Sequence, residues 1–445
     1  MHALIVSVLR LHFFAAIKSV PPENTLSTGT LVALLIKPKR RLGHNAEVLD
    51  DNKLYMFGGY YMTSNLKYLV GKEFFYIDFS TPFNTKELTW EDLSEYYTLP
   101  LHAFSAAVKS NGNNNTLFVY GGIIESTAET LVYKYDTLSN TWSTPTITGI
   151  NNIRKGGLTG IIDNSGKMYL WSGMKIINEK DTNYVNDMLI LDTINLSWGQ
   201  GSSLGAPTAR GNYGAVLLPN NNIIYMGGYT NGEELTLNQV YSYDIINDKW
   251  SIKTTSGIVP SGRGGFSAVL GLDGQRIIIF GGNASNNLTI EDSLYELNLI
   301  NFEWRIPTIS GQIPKSRIFH QANVIEKYMV VSFGFGYDPL IESDILLLDI
   351  SNNNEYIWTY NFVPSYNPDP SSSVSLPSSS IEQSSSPTQS SSPSHSINLL
   401  SAQQFEKSSF TMIVSIVGSL FGGTLLLFGC FFIYRWIKIK REQKN

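Results

Sequence analysis

Hydrophobic positions in this chain fall into short runs with the two-residue alternation or small apolar blocks of β-strands, broken by Gly, Asn, Asp and Pro. The clearest stretch is Ala209–Trp250. Tyr213–Leu218 is small and apolar, and Pro219–Asn222 reads as a turn. Ile223–Met226 then runs into Gly227-Gly228, where a sharp bend with positive φ would exclude a Cβ. After a polar loop come Val240–Asp244, with alternating aromatics, a turn through Asn247-Asp248, and a strand opening at Trp250. The pattern predicts four strands in one small sheet. Such a sheet cannot bury both faces alone, so copies of it are expected elsewhere in the chain.

The copies are present. The second-strand glycine recurs at Gly58, Gly121, Gly227, Gly281 and Gly334, while the third repeat has Ser172-Gly173 and the sixth reads Gly334-Phe335-Gly336. The fourth-strand tryptophan recurs at Trp90, Trp142, Trp198, Trp250, Trp304 and Trp358, 52–56 residues apart. Only Trp171 and Trp436 fall outside that series. The third strand ends each time on a turn-forming Asp or Asn: Asp78, Asp136, Asp192, Asp244, Asn298 and Asp349.

With this period, a small-residue first strand, a Gly pair, Tyr-Asp and Trp, the region resembles the Kelch repeat. The resemblance implies an all-β fold, a six-bladed Kelch-type β-propeller of four-stranded antiparallel blades over residues 38–363. A 12 % aromatic content fits rings packed between blades.

The flanks differ. Residues 1–37 form an apolar N-terminal segment, an export signal or a closing strand. Arg10 interrupts its apolar run, and the short run Leu31–Ile36 is a candidate strand against the last blade. Residues 364–408 are dominated by Ser and Pro and cannot bury a core, so they read as a disordered stalk. Within 409–434, Thr411–Tyr434 carries no charge over 24 residues, enough to cross a bilayer as one transmembrane α-helix. The tail 435–445 holds Arg435, Lys438, Lys440, Arg441 and Lys444 against Glu442, which places it in the cytosol and the ring outside or in a lumen. Gly418-x-x-x-Gly422 is a possible helix-pairing face, and Cys430 a possible lipidation site. If the ring is exported, four sequons are open to N-glycosylation: Asn114, Asn195, Asn283 and Asn287. The net charge of −5, with a basic tail, leaves an acidic body and argues against nucleic acid as a partner.

Candidate chemistry is sparse. Aligning the first strands from their leading residue gives Arg41, Leu101, Arg154, Arg210, Arg263 and Arg317. Five arginines at one position would ring one mouth of the channel as a binding rim for an anionic ligand. The alternative is that each arginine pairs with the next blade, through Asp187, Asp292 or Asp344. His44 and His320 are equivalent in repeats one and six, which become neighbours on closure; a metal pair or simple packing would explain them. The Kelch propeller is also similar to the copper-binding domain of galactose oxidase, whose redox cofactor needs a Cys cross-linked to Tyr. The only cysteine is Cys430, outside the ring, so that chemistry is excluded in its known form. The iron motif of plant Kelch specifier proteins, G-x-S-x-G, H-E-x-x-H and the P-loop are all absent. No cofactor, metal or catalytic residue is expected. The reading is a membrane-anchored propeller at the cell surface that binds a protein or a surface or wall glycan. The alternatives are a non-copper, carbohydrate-active ectoenzyme and a cytosolic-facing Kelch scaffold.

Overall fold

The computed structural model describes residues 37–365, apart from 50–51, 64–67, 100, 111, 113–114, 125–129, 152, 177–181, 232, 284–292 and 339. The chain divides into two compact units, Met1–Pro368 and Asp369–Asn445, and every described residue belongs to the first. Leu31–Ile36, most of the Ser/Pro-rich stretch and Thr411–Tyr434 lie outside the described residues. Among the described residues, no helix is long and apolar enough to cross a membrane.

Six sheets, each built on four antiparallel strands and two of them carrying a fifth, parallel strand, follow one another along the chain. In blade four the strands are Gly214–Leu217, Asn222–Met226, Gln239–Asp244 and Lys249–Thr254, close to the pattern read from sequence. The predicted left-handed bend follows each second strand. Gly227 and Gly228 have φ of 58° and 100°, and Ser172 and Phe333 take the first of the two positions in blades three and six. The Asp or Asn ending each third strand builds the next turn: the Asp244 carboxylate accepts the Ile246 and Asn247 amides at 3.0 and 2.9 Å.

The first strands, starting at Asn45, Ala106, Ile161, Gly214, Gly264 and Gln321, stand side by side around an axis, and each touches its two neighbours. The sixth touches the first, so the circle closes. Among the described residues, no strand is exchanged between blades one and six at closure. Gln321 and Asn323 donate through their side-chain amides to the His44 and Ala46 carbonyls at 3.0 and 3.1 Å. Past blade six, Asn361–Phe362 pairs with Phe83–Asn84 of blade one. Phe362 then packs on Phe79, Phe83 and Tyr328 with centroids 4.8–5.2 Å away. This seam shares one apolar cluster, including Met56, Phe75, Trp90, Val330, Phe333 and Leu347. Each large side chain buried there contributes roughly 1.5–3 kcal/mol.

The segment leading into a blade adds an outer edge strand in three cases. Ser256–Gly257 runs parallel to Glu303–Arg305, Ile309–Gly311 runs parallel to Tyr356–Thr359, and Thr148 bridges Ser197. Each link ties the outside of one blade to the chain leaving its predecessor.

Candidate functional site: the channel mouth

Six residues at the entry to the first strands hold one another in a closed circuit. The Phe104 amide donates to the Gly43 carbonyl, Gly157 to Phe104, Asn212 to Gly157, Gly265 to Asn212, Phe319 to Gly265 and Gly43 to Phe319, all at 2.7–2.9 Å. All six have φ between 52° and 68°. Glycine adopts this backbone freely, whereas phenylalanine does so at a cost. Glycine and a larger residue alternate around the circuit, and each larger side chain leans back over the preceding glycine. A Cβ on Gly43 would lie 2.7 Å from the Phe104 ring, and one on Gly265 would lie 2.9 Å from Phe319. The glycines are therefore the floor on which Phe104, Asn212 and Phe319 rest. Phe104 and Phe319 also meet edge to face at 5.2 Å, and Tyr60 approaches Phe104 at 6.1 Å. Beneath them lies a cavity of about 120 Å³ along the axis.

A second circuit fixes the equivalence of the first strands. The amides of Gly59, Gly122, Gly173, Gly228, Gly282 and Gly334 donate to the carbonyls of His102, Lys155, Arg210, Arg263, Arg317 and Arg41 at 2.8–3.0 Å. The alignment that placed Leu101 and Arg154 in the arginine row is therefore one residue out in blades two and three. The equivalent residues there are His102 and Lys155.

Nor do the arginines form an open rim: Arg41, Arg154, Arg210, Arg263 and Arg317 are all buried. Four reach carbonyls in their own blades. Arg41 donates to Gly58, Arg210 to Gly227, Arg263 to Gly281 and Arg317 to Phe333, at 3.0–3.2 Å. Their guanidinium planes lie over Phe75, Tyr241, Tyr295 and Tyr337 at 3.6–5.1 Å. Burial lowers the pKa of Arg41, Arg210 and Arg317, and Glu73 beside Arg41 opposes this. A solvated carbonyl would not require a charged donor. These carbonyls belong to the first residue of each left-handed bend, and the buried guanidinium supplies their donor.

The acidic partners expected across blades are placed differently. Asp187 pairs with Lys155 of its own blade at 3.3 Å. Burial brings the Lys155 amine down to about 8, against the pull of Asp187. Asp344 offers its backbone carbonyl to Arg317 at 3.3 Å, while its carboxylate accepts the Tyr337 hydroxyl. Asp292 lies outside the described residues.

His44 and His320 do occupy equivalent places. Each Nε2 is bonded to a serine hydroxyl of the preceding blade, Ser332 at 2.9 Å and Ser267 at 2.8 Å. Burial pushes His320 down to about 3 and His44 well below the usual range. Both rings are neutral packing elements between blades.

Of the sequons, Asn195 is exposed in the turn after Asp192, and its Nδ2 donates to that carboxylate at 3.0 Å. Asn283 ends the strand Arg276–Asn283, and Asn114 and Asn287 lie outside the described residues.

Sequence reasoning missed Phe104, Asn212 and Phe319. The available signal was a period of two repeats, with Gly43, Gly157 and Gly265 alternating with these three.

The KLHDC2/KLHL20/DRC7 Kelch-repeats domain matches residues 43–273 and 215–381. Kelch domain-containing protein 3 of Bos taurus is 25 % identical over 342 residues, spanning 70 % of this chain and 85 % of that protein. Host cell factor 2 of Homo sapiens is 25 % identical over 270 residues, 56 % of this chain and 32 % of that protein. Acyl-CoA-binding domain-containing protein 5 of Arabidopsis thaliana is 29 % identical over 195 residues, 41 % of this chain and 28 % of that protein. The repeat spacing, the closed circle of blades and the match across the ring together make this chain a member of the Kelch-repeat domain family.

Proposed function

We propose that the chain is a protein-interaction module that binds through the channel-mouth face, tethered to a membrane by Thr411–Tyr434. The observation that carries this reading is the pair of phenylalanines held in left-handed backbone across the mouth. Bulky residues persist in that conformation where surrounding structure over-determines them, and such strain gathers at functional sites. Phe104 and Phe319 are partly exposed, and Phe335, in the loop after the second strand of blade six, is exposed on the same face. Aromatic side chains over a rigid floor supply contact area at little cost in side-chain entropy. Kelch-domain relatives without an evident catalytic set favour binding over chemistry.

The tether reading rests on the uncharged run and its basic flank. Ser365, the last described residue, donates to the Glu326 carboxylate at 2.6 Å, in the turn between the first and second strands of blade six. That turn lies on the face opposite the mouth.

A photo-crosslinking residue placed at Phe335 in the full chain, and separately at Ile246 on the opposite face, tests the reading in cells. A discrete protein adduct from position 335 and none from 246 is expected. Equal adducts from both, or none from either, would overturn it. Enzymatic deglycosylation tests the orientation: a mass loss abolished by Asn195→Gln in the sequon set places the ring in the secretory lumen.

A further inference from the structure

The chain between a fourth-strand tryptophan and the residue heading the next inner strand comes in two lengths. Thirteen residues separate Trp142 from Lys155, Trp250 from Arg263 and Trp304 from Arg317, and twelve separate Trp90 from His102 and Trp198 from Arg210. The longer links are the three that lie against the fourth strand of the blade they lead to, through Thr148, Ser256–Gly257 and Ile309–Gly311. The twelve-residue link into blade four does not. It turns at Leu204-Gly205, its Ser202 carbonyl accepts the Trp250 indole at 2.7 Å, and it leaves the strand Lys249–Thr254 as the outer edge of its sheet.

That strand has six residues, the longest of the fourth strands, and every residue in it except Trp250 is exposed. The Thr255 amide donates to the Asn238 carbonyl at 2.9 Å. Along an antiparallel ladder the inward bonds fall on alternate residues. Lys249, Ser251 and Lys253 therefore bond to the third strand, while Trp250, Ile252 and Thr254 turn their amides and carbonyls outward. Among the described residues, no backbone group meets those of Ile252 and Thr254. An uncovered edge of this kind is a template for another strand.

We infer that this edge takes up an extended segment of a partner protein by strand addition, with acidic residues in the row beside Lys253 and apolar ones in the row beside Ile252. The two side-chain rows set that chemistry. Lys249, Ser251 and Lys253 form a row with two positive charges and no carboxylate of its own, and among the described residues neither lysine forms an ion pair. Lys253 lies only over the Phe302 ring, at 5.9 Å. In the other row Ile252 is 56 % exposed. Leu204, 87 % exposed, adjoins that row, because a Cβ on its neighbour Gly205 would lie 3.6 Å from the Cβ of Trp250. A second copy of the chain fits this edge poorly. Antiparallel pairing centred on Ser251 sets Lys249 opposite Lys253, and pairing centred on Lys253 sets that residue opposite itself, both opposed by like charge. Carboxylates in the added strand turn the same repulsion into attraction. Ile246, in the turn before Lys249, lies outside the pairing, so the mouth and the edge are tested separately.

The test uses the full chain and two synthetic probes, a short peptide alternating glutamate with valine and its counterpart alternating lysine with valine. With the glutamate peptide at millimolar concentration, amide exchange at Ile252 and Thr254 is expected to slow at least about tenfold, and with the lysine peptide it should stay unchanged. In Lys253→Glu, an exposed position whose replacement leaves the core untouched, the preference should reverse. A glutamate peptide that leaves both amides unchanged overturns the proposal, and so does equal protection by both peptides, which would mean pairing without selection by charge. A preference for glutamate that survives in Lys253→Glu overturns the placement of acidic residues beside Lys253. Protection that grows with protein concentration in the absence of peptide also overturns it, by seating a second copy on the edge.

Discussion

Arg154 of blade three donates to the carbonyl of Gly121 in blade two at 3.2 Å, filling from next door the place that an arginine of the same blade fills in four others. Blade two has His102 at that position, and an imidazole is too short to make the same contact. Arg154 also donates to Thr130 at 2.8 Å, so one side chain satisfies two buried carbonyls and fastens two blades.

Replacing that side chain should therefore be costly. Arg154→Met is expected to lower stability by about 2–4 kcal/mol, because it removes the donor from two carbonyls at a buried position. Adding His102→Arg restores an in-blade donor and should recover part of the loss. Denaturant titration of the single and double variants checks this, with non-additivity as the signature.

The leaning rings make the floor glycines specific. Gly43→Ala should cost about 2 kcal/mol, from the left-handed backbone and from the collision with Phe104. In a Phe104→Gly background, the collision disappears and the cost should fall to the backbone part, near 1 kcal/mol. Equal penalties in both backgrounds would contradict the geometry.

Glu47, partly buried on the inner strand of blade one, has its carboxyl pushed up to about 8 by burial, against the opposing pull of Lys109. Between its ordinary value of 4.5 and about 8, the folded protein holds a proton that the unfolded chain releases. Stability therefore falls as pH rises through that window and levels off above it. Glu47→Gln should add on the order of 1–3 kcal/mol above about pH 8 and almost nothing near about pH 4. Thermal melts across pH give the comparison.

His320 works in the opposite direction. Its pKa is depressed to about 3, so its neutral form stabilises the fold fully above 6.5. That stability is lost as pH falls toward 3, because the unfolded chain takes up a proton that the folded one refuses. The slope from this residue approaches about 1.4 kcal/mol per pH unit. His320→Gln should flatten the acid limb by one proton while keeping a hydrogen bond to Ser267 available.

The seam should behave as the weak point of the circle. Phe362→Ala removes the ring shared by Phe79, Phe83 and Tyr328 and should cost about 3–5 kcal/mol. Exchange at Phe83–Asn84 should rise before exchange at the blade-three strands.

The blades were legible because each is local: four strands, a bend and a turn within about fifty residues, marked by Trp250, Gly227 and Asp244 and their counterparts. The register of blades two and three was not. Arg154 and Lys155 are both basic, and only the hydrogen-bonded circuits distinguish which one faces the axis. Burial of the arginine row was equally hidden, since the carbonyls that need those charges are created by the bend and not by any residue type. The contact that joins the last blade to the first was hidden for a similar reason. Asn361–Phe362 meets Phe83–Asn84 across 277 residues, and two-residue pairings leave no periodic trace.

The circuit of Gly43, Phe104, Gly157, Asn212, Gly265 and Phe319 also sets what kind of guest the mouth can greet. Six peptide dipoles running nose to tail in a circle cancel, so the collar exerts almost no field along the axis, unlike a helix end with its unpaired amides. Anything that enters meets a backbone already satisfied and electrically quiet. Discrimination there falls to the flat edges of two benzyl groups and one carboxamide, a vocabulary of shape rather than of charge.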